Sequence, residues 1–403
     1  MTTLILHRTK KIPDYSKWLE NSNEDLILFI QSSSSGDLNG YSKIKEFKNF
    51  DSDEVIHEVI SIHEKTPVKS IVALAEEDII RAGKLRSLLN IQGQNEESAI
   101  AYRNKMRMKQ LVSNKSIKCP RFKEINEIED VFQFVSDFGL PIVIKPIRGY
   151  GSLDTYIVRN EIELMMAVDK ISELVIKDFM LETFVEGELV SVNGLAINNE
   201  IKFCSVNRYQ QGCAEYKEGI NQLITTVPTE DKLYKQAREV TEEVIRALPS
   251  PEILVFHCEL FYNNGQFVFC EIASRPSGGW ICEAIKHSHG INLKEKFVKL
   301  SCGMNELIDD VEPSLLAGIH FIPIREGVLE NQIEEIPLEW VKQYIPIMKP
   351  GTYCKTAADC VDIVGVVLFV GDNYHELLKK SNVLKEYISK NILWKSRFQP
   401  NSL

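Results

Sequence analysis

The sequence has no apolar run approaching the ~20 residues that a helical membrane span requires, and its first apolar stretch, Leu4 to Leu6, ends before it could form a secretory leader. Both absences predict a soluble chain with no membrane partner, and the cytoplasm as its compartment. There is no C-x-x-C pair. The nine cysteines are scattered and odd in number, so they read as reduced thiols and not as a disulfide framework or a zinc site. Positive charge is not in excess either. A net charge of -10 excludes a general nucleic-acid binder, which needs a basic surface to neutralise phosphates, and any anionic ligand must meet a local group of Lys and Arg. Internal repeats are absent, and low complexity is confined to one short serine run.

What remains is an ordinary globular composition, 44% hydrophobic and 26% charged over 403 residues, long enough for two to four cores. Residues 1–100 alternate strand-like runs (LILH, LILFI, VKSIVAL) with helical patterns such as EEDIIRAGKLRSLLN. That alternation predicts a small parallel sheet. AIAYRNKMRMKQLV reads as one helix, and KCPRFKEI as a connector broken by Pro120. From Leu140 the expected order is strand (PIVIKP), turn (GYGS), strand (LDTYIVRN), helix over 161–176 and strand (FMLETFV). A hairpin follows about Asn198 and Asn199, then a second around Asn263-Asn264-Gly265, then two helices stopped by Gly290 and Gly303. Residues from about 318 onward read as a mixed α/β tail.

The second hairpin carries the clearest chemistry. Side chains alternate along a strand, so His257 and Glu259 share a face of the first arm, and Glu271, Ala273 and Arg275 share a face of the second. Cys258, Leu260, Cys270 and Ile272 then point into a core. A solvated surface hairpin would also carry charge on one face. Facing carboxylates repel unless a cation lies between them, however, and hard Mg²⁺ with phosphate partners is the usual solution. Arg275 and the following Pro276-Ser277-Gly278-Gly279 offer a fixed cation and approachable backbone amides for an anion.

Upstream, Lys105 and Lys145 can act as point charges for phosphate. Lys145 is the second residue of IKPIRGYGS (Ile144–Ser152), which matches neither the P-loop nor the dinucleotide fingerprint. By itself that loop is either a phosphate cover or a plain turn. Glu182 and Glu188 flank a short hinge in ETFVEGE, which is either an edge strand or a base-and-ribose contact using the backbone of Phe184 and Val185.

The order of these groups, Lys105, Lys145 with GYGS, ETFVEGE, His257-x-Glu259 and Glu271-x-Ala273-x-Arg275, resembles the ATP-grasp superfamily over roughly residues 70–310. AEEDIIRAGKLRSLLNIQG leading into YRNK is similar to the segment preceding the core in carboxylate–amine ligases of the biotin-carboxylase-like branch. The resemblance implies an α/β ATP-grasp fold. An N-terminal Rossmann-like domain would cover 1–104, the ATP-grasp domain 105–317 with a flexible lid at about 118–183, and a C-terminal α/β subdomain 318–403.

It also implies roles. Lys105 and Lys145 would contact ATP phosphates, under a lid loop of Gly149, Gly151 and Ser152. Glu182 would accept from the adenine amino group, Phe184 and Val185 would offer backbone groups, and Glu188 would hold the ribose. Glu259 and Glu271 would bind Mg²⁺, or Mn²⁺ in its place. Arg275 would stabilise the transferring phosphoryl group and the acyl phosphate it forms, and His257 would either assist phosphate or substrate binding or be a satisfied strand histidine. Ala273 departs from the family, which commonly has Asn there, so a second metal would be held more weakly.

The activity implied is that of a ligase making an acyl phosphate from a carboxylate and joining it to an amine. Resemblance to bacterial L-amino-acid ligases suggests an amino acid as donor. A carrier-protein thiol as acceptor and a non-catalytic nucleotide-binding regulator are the alternatives. Substrate contacts are expected from 207–216 and from 274–280, where Trp280 either walls an apolar pocket or serves packing. A homodimer is the expected assembly.

Overall fold

The computed structural model describes residues 2–210, 222–308, 310–355 and 362–395. Strands Thr2–His7, Asp25–Gln31, Lys43–Phe47 and Val68–Ala73 pair in parallel, with Thr2–His7 and Asp25–Gln31 at the centre. The apolar runs of the two central strands are nearly continuous because both faces are covered, as parallel sheets require. Leu4, Leu6 and Phe29 pack into one core with helices Glu54–Lys65 and Ile79–Leu89. Ile5, Leu28 and Val72 face a second core, which contains Val298 and Cys302 from the end of a much later helix, Leu293–Ser301. The N-terminal sheet is thereby seated on the remainder of the chain.

The single helix expected across AIAYRNKMRMKQLV is two, Glu96–Arg103 and Lys105–Ser113. Asn104 leaves the helical region (φ -94, ψ 104) and its side chain accepts from the Arg107 amide, the capping role in which Asn outperforms its weak helix-interior propensity. Lys105 therefore begins a helix, at the end where backbone amides are unsatisfied.

A small antiparallel sheet contains Phe122–Glu124, Phe179–Thr183, Ile142–Pro146 and Tyr156–Val158, in that order. Helices Ile128–Phe138 and Glu161–Ser172 supply Val131, Phe134, Leu164 and Ile171 to its core. The loop GYGS links its last two strands.

The largest sheet has eight strands in the order Gln266–Ala273, Ile253–Asn263, Glu188–Ile197, Glu200–Tyr209, Leu223–Thr226, Leu316–Pro323, Ile363–Gly371, Val341–Pro346. Both expected hairpins are present in it. Their turns use Asn198 and Asn199, and Asn264 and Gly265, all with positive φ, as two-residue hairpin loops prefer. One face packs on helices Lys232–Ala247 and Lys105–Ser113, the other on Ile281–His289 and Leu293–Ser301. The tail strand Leu316–Pro323 pairs directly with Leu223–Thr226, so the sheet runs without interruption into the C-terminal residues. Among the described residues, no helix is long and apolar enough to cross a membrane.

Candidate active site

Pairing between Ile253–Asn263 and Gln266–Ala273 sets Glu259 opposite Glu271 and His257 opposite Ala273. On the other side, Glu259 meets Ser191 and His257 meets Asn193. Partners directly across a ladder share a face, so Glu271, Glu259 and Ser191 form one row and Ala273, His257 and Asn193 the next. Cys258, Leu260 and Ile272 lie on the opposite face in the core. Asn207 extends the first row, since it pairs with both Ser191 and Thr226. A polar strip thus crosses five strands and ends at an apolar patch of Ile224, Ala317, Ile319 and Phe321.

Three lysines converge on the acidic end. Lys105 Nζ lies 3.3 Å from Glu271 and donates to the Gly149 carbonyl at 2.6 Å. Lys145 and Lys109 flank Glu182 at 3.0 and 3.2 Å, and Lys109 also donates to the Cys270 carbonyl at 2.7 Å. The contacts to Glu182 are close ion pairs, not aligned hydrogen bonds, because its Oε1 has no hydrogen-bond partner of good geometry. Burial would raise the Glu271 carboxyl, but Lys105 and Lys145 outweigh it and hold the group down at about 2. Burial acts the other way on Lys145, where Glu182 prevails and keeps the ammonium charged. Glu271 and Lys145 are therefore both charged near neutrality.

Arg275 is fixed from the N-terminal side. Its Nε donates to Glu76, which also accepts from Arg103 Nη1 at 2.5 Å, and Glu76 is only 7% exposed. Burial would raise the Glu76 carboxyl, but Arg275 and Arg103 overcome it and lower it. Arg103 continues to the Arg148 carbonyl at 2.8 Å, and the Tyr150 hydroxyl donates to Glu77 at 2.7 Å. Residues 148–150 are thus held down over Lys105. Beyond them Gly151, Ser152 and Asp154 all have positive φ, a turn that leaves the following strand free to return antiparallel.

His257 Nδ1 lies 2.6 Å from Asn193 Oδ1, and its Nε2 lies 3.2 Å from Glu259 Oε1. With Nδ1 donating to the amide oxygen, a proton on Nε2 would link the ring to the carboxylate. Lys109, Glu76, Arg103 and Asn193 are the site residues that the sequence reading missed. Lys109 alone had a signal, since it stands one helical turn after Lys105 and shares its face. The other three come together only through tertiary contacts.

Two expected contacts are placed differently. Glu182, expected to meet an adenine amino group, is 3% exposed and turned toward two lysines, because a buried carboxylate must pair. The Phe184 amide donates to the Pro141 carbonyl at 3.2 Å, so of its backbone groups the carbonyl is the one left for the expected base contact. Glu188 is about half exposed and pairs with Arg208 at 3.0 Å. Trp280 packs edge-on against Phe321, with ring centroids 6.2 Å apart. Of the expected substrate segment 207–216, the part from 211 lies outside the described residues.

Residues 110–289 match the ATP-grasp domain. The chain is 26% identical to the L-arginine-specific L-amino acid ligase of Bacillus subtilis over 289 residues, covering 68% of this chain and 67% of that one. The crystal structure of L-amino acid ligase from Bacillus licheniformis superposes with a TM-score of 0.79 at 18% identity, covering 98% and 99% of the two chains. The biotin carboxylase domain of the Hydrogenobacter thermophilus 2-oxoglutarate carboxylase, solved with MgADP and bicarbonate, matches with a TM-score of 0.67 at 10% identity over 96% and 89%.

Proposed function

Because the chain belongs to the ATP-grasp superfamily, we propose that it is an ATP-dependent ligase that activates an amino-acid carboxylate as an acyl phosphate and passes the acyl group to an amine, releasing ADP and phosphate. The observation that carries this reading is the facing pair Glu259 and Glu271, set against Lys105 and Lys145 and bounded by Arg275. Phosphoryl transfer is mostly positioning and charge neutralisation, and these groups can do both.

In this reading Lys105 and Lys145 hold phosphate oxygens, and the loop of Gly149, Gly151 and Ser152 covers them. Lys105 would exchange its Gly149 carbonyl partner for phosphate. Glu182 keeps Lys145 charged and aimed, base recognition falls to the Val185 backbone, and Glu188 takes the ribose. Glu259 and Glu271 fit a hard divalent ion, since both are carboxylates in register at the end of the lysine cluster. Among the described residues no third acid or histidine completes a protein-only metal cage, so the remaining ligands would be phosphate oxygens and water. Mg²⁺ bound there supplies charge neutralisation. Arg275 faces the oxygens of the acyl phosphate, and His257, oriented by Asn193, offers a further donor beside them. Ala273 supplies no ligand.

Incubation with ATP, Mg²⁺ and amino acids, singly and in pairs, should release phosphate with particular carboxylates only, and mass analysis should find the condensed product. Release that requires a carrier-protein thiol would move the acceptor to the thiol class. No release with any amino acid or with a carrier would leave a nucleotide-binding regulator. In a Glu188→Ala variant, the KM for ATP should rise about tenfold, the loss of roughly one hydrogen-bonded contact, while the KM for the acid stays constant. A rise confined to the acid would remove the ribose assignment.

A further inference from the structure

A cavity of about 480 Å³ lies between helix Ile79–Leu89, strand Val68–Ala73, the start of Ile253–Asn263 and the end of helix Leu293–Ser301. None of the proposed nucleotide or metal ligands lines it. Its volume falls in the range of small-molecule sites. Its walls are mainly apolar, with Ile71, Ala82, Ile91, Leu254 and Leu300 among them.

Into this apolar space projects Arg86, which is 8% exposed. Buried guanidinium groups are almost always paired with a carboxylate, as Arg103 and Arg275 are here. Arg86 has no such partner among the described residues. Nη1 donates to the Gln94 carbonyl at 3.1 Å and Nη2 to the Ile71 carbonyl at 2.6 Å. That occupies two of its five N–H groups and none of its charge. Gly93, at φ +117, passes its edge, where a Cβ would stand 3.1 Å from Nε, so the glycine keeps side-chain bulk away from the guanidinium. Burial lowers the Arg86 pKa to about 10 without any opposing acid, which leaves the group cationic at neutral pH. At the rim Lys69 is already paired with Glu24 at 2.6 Å, and Glu252 is exposed to solvent.

We infer that this cavity is a binding site for a monocarboxylate with an apolar body, its carboxylate on Arg86 and its hydrocarbon against Ile71, Ala82, Leu254 and Leu300. A single carboxylate balances the single uncompensated charge. A phosphate dianion would leave one negative charge buried and unpaired, which is costly. The site stands apart from the proposed catalytic groups and does not depend on the ligase reading.

Octanoate titrated into the full-length protein by calorimetry, with ADP and Mg²⁺ present to fill the nucleotide site, should bind saturably with one site per chain. Octan-1-ol and octyl phosphate should each bind at least tenfold more weakly. Arg86→Gln should weaken octanoate at least tenfold. Leu300→Trp, which fills the cavity while leaving Arg86 in place, should do the same and decides the matter if Arg86→Gln fails to fold. Absence of saturable octanoate binding, equal binding of the alcohol, tighter binding of octyl phosphate, or undiminished binding in folded Leu300→Trp would each overturn the assignment.

Discussion

In a Glu271→Gln variant, substrate-dependent phosphate release should fall about a thousandfold, equivalent to about 4 kcal/mol of transition-state stabilisation, while nucleotide affinity weakens only moderately. Glutamine preserves the shape of the side chain and one oxygen. It removes the charge that faces Glu259 and pairs with Lys105 at 3.3 Å. A divalent ion held by Glu259 and Glu271 would contribute several kcal/mol of charge stabilisation, and a neutral amide could not replace that. Binding should survive because the contacts proposed for Lys105, Lys145 and the hinge are untouched by the substitution. Single-turnover measurement separates the two effects. Activity within tenfold of the parent would remove Glu271 from the metal site.

The same residue constrains the pH profile. Its folded pKa of about 2 lies below the ordinary value of 4.5. The stability this provides is therefore complete above 4.5 and is lost as pH falls from there toward 2. An acidic limb of activity between pH 5 and 7 must come from another group.

Glu76→Ala should destabilise the fold by about 3–5 kcal/mol, the usual consequence of deleting one member of a buried charge network. Glu76 is the shared acceptor for Arg103 and Arg275. Its removal leaves two guanidinium groups facing each other with little water. Urea unfolding should show a lowered midpoint with an unchanged slope. Glu76→Gln, which retains acceptor geometry, should cost less. A loss below 1 kcal/mol in the alanine variant would mean that solvent or another acid replaces Glu76. Because Arg275 is held through this carboxylate, the surviving folded enzyme should also lose turnover, more than its KM for ATP would indicate.

Much of the large sheet was legible because its signals are local. Asn198-Asn199 and Asn264-Gly265 are turn residues flanked by alternating apolar positions, and the alternation along each arm follows from the pleat; the bulge beside Glu259 that brings it into register with Glu271 carried no such signal. The third N-terminal strand, Lys43–Phe47, was not legible. Its KIKEF sequence carries three charges, and parallel pairing with Asp25–Gln31 decides its state. The break at Asn104 went unseen for a related reason, since a cap and a helix interior look alike in a periodic pattern. Most consequentially, Glu76 sits almost two hundred residues from Arg275, and no spacing rule joins them. Motif order located the lysines and acids, but not the charges that orient them.

The strand order of the large sheet also sets a timetable for the growing chain. Glu188–Ile197 and Glu200–Tyr209 can zip together as soon as both leave the ribosome, whereas Leu223–Thr226 must wait for Leu316–Pro323 before its second edge is satisfied. Closing so long a loop carries an entropic cost before any contact compensates it. Until then a newborn chain presents a short open edge of four buried-type residues, Leu223, Ile224, Thr225 and Thr226. A ribosome stalled just short of residue 316 would hold a chain with both arms of the acidic hairpin made and an unfinished sheet.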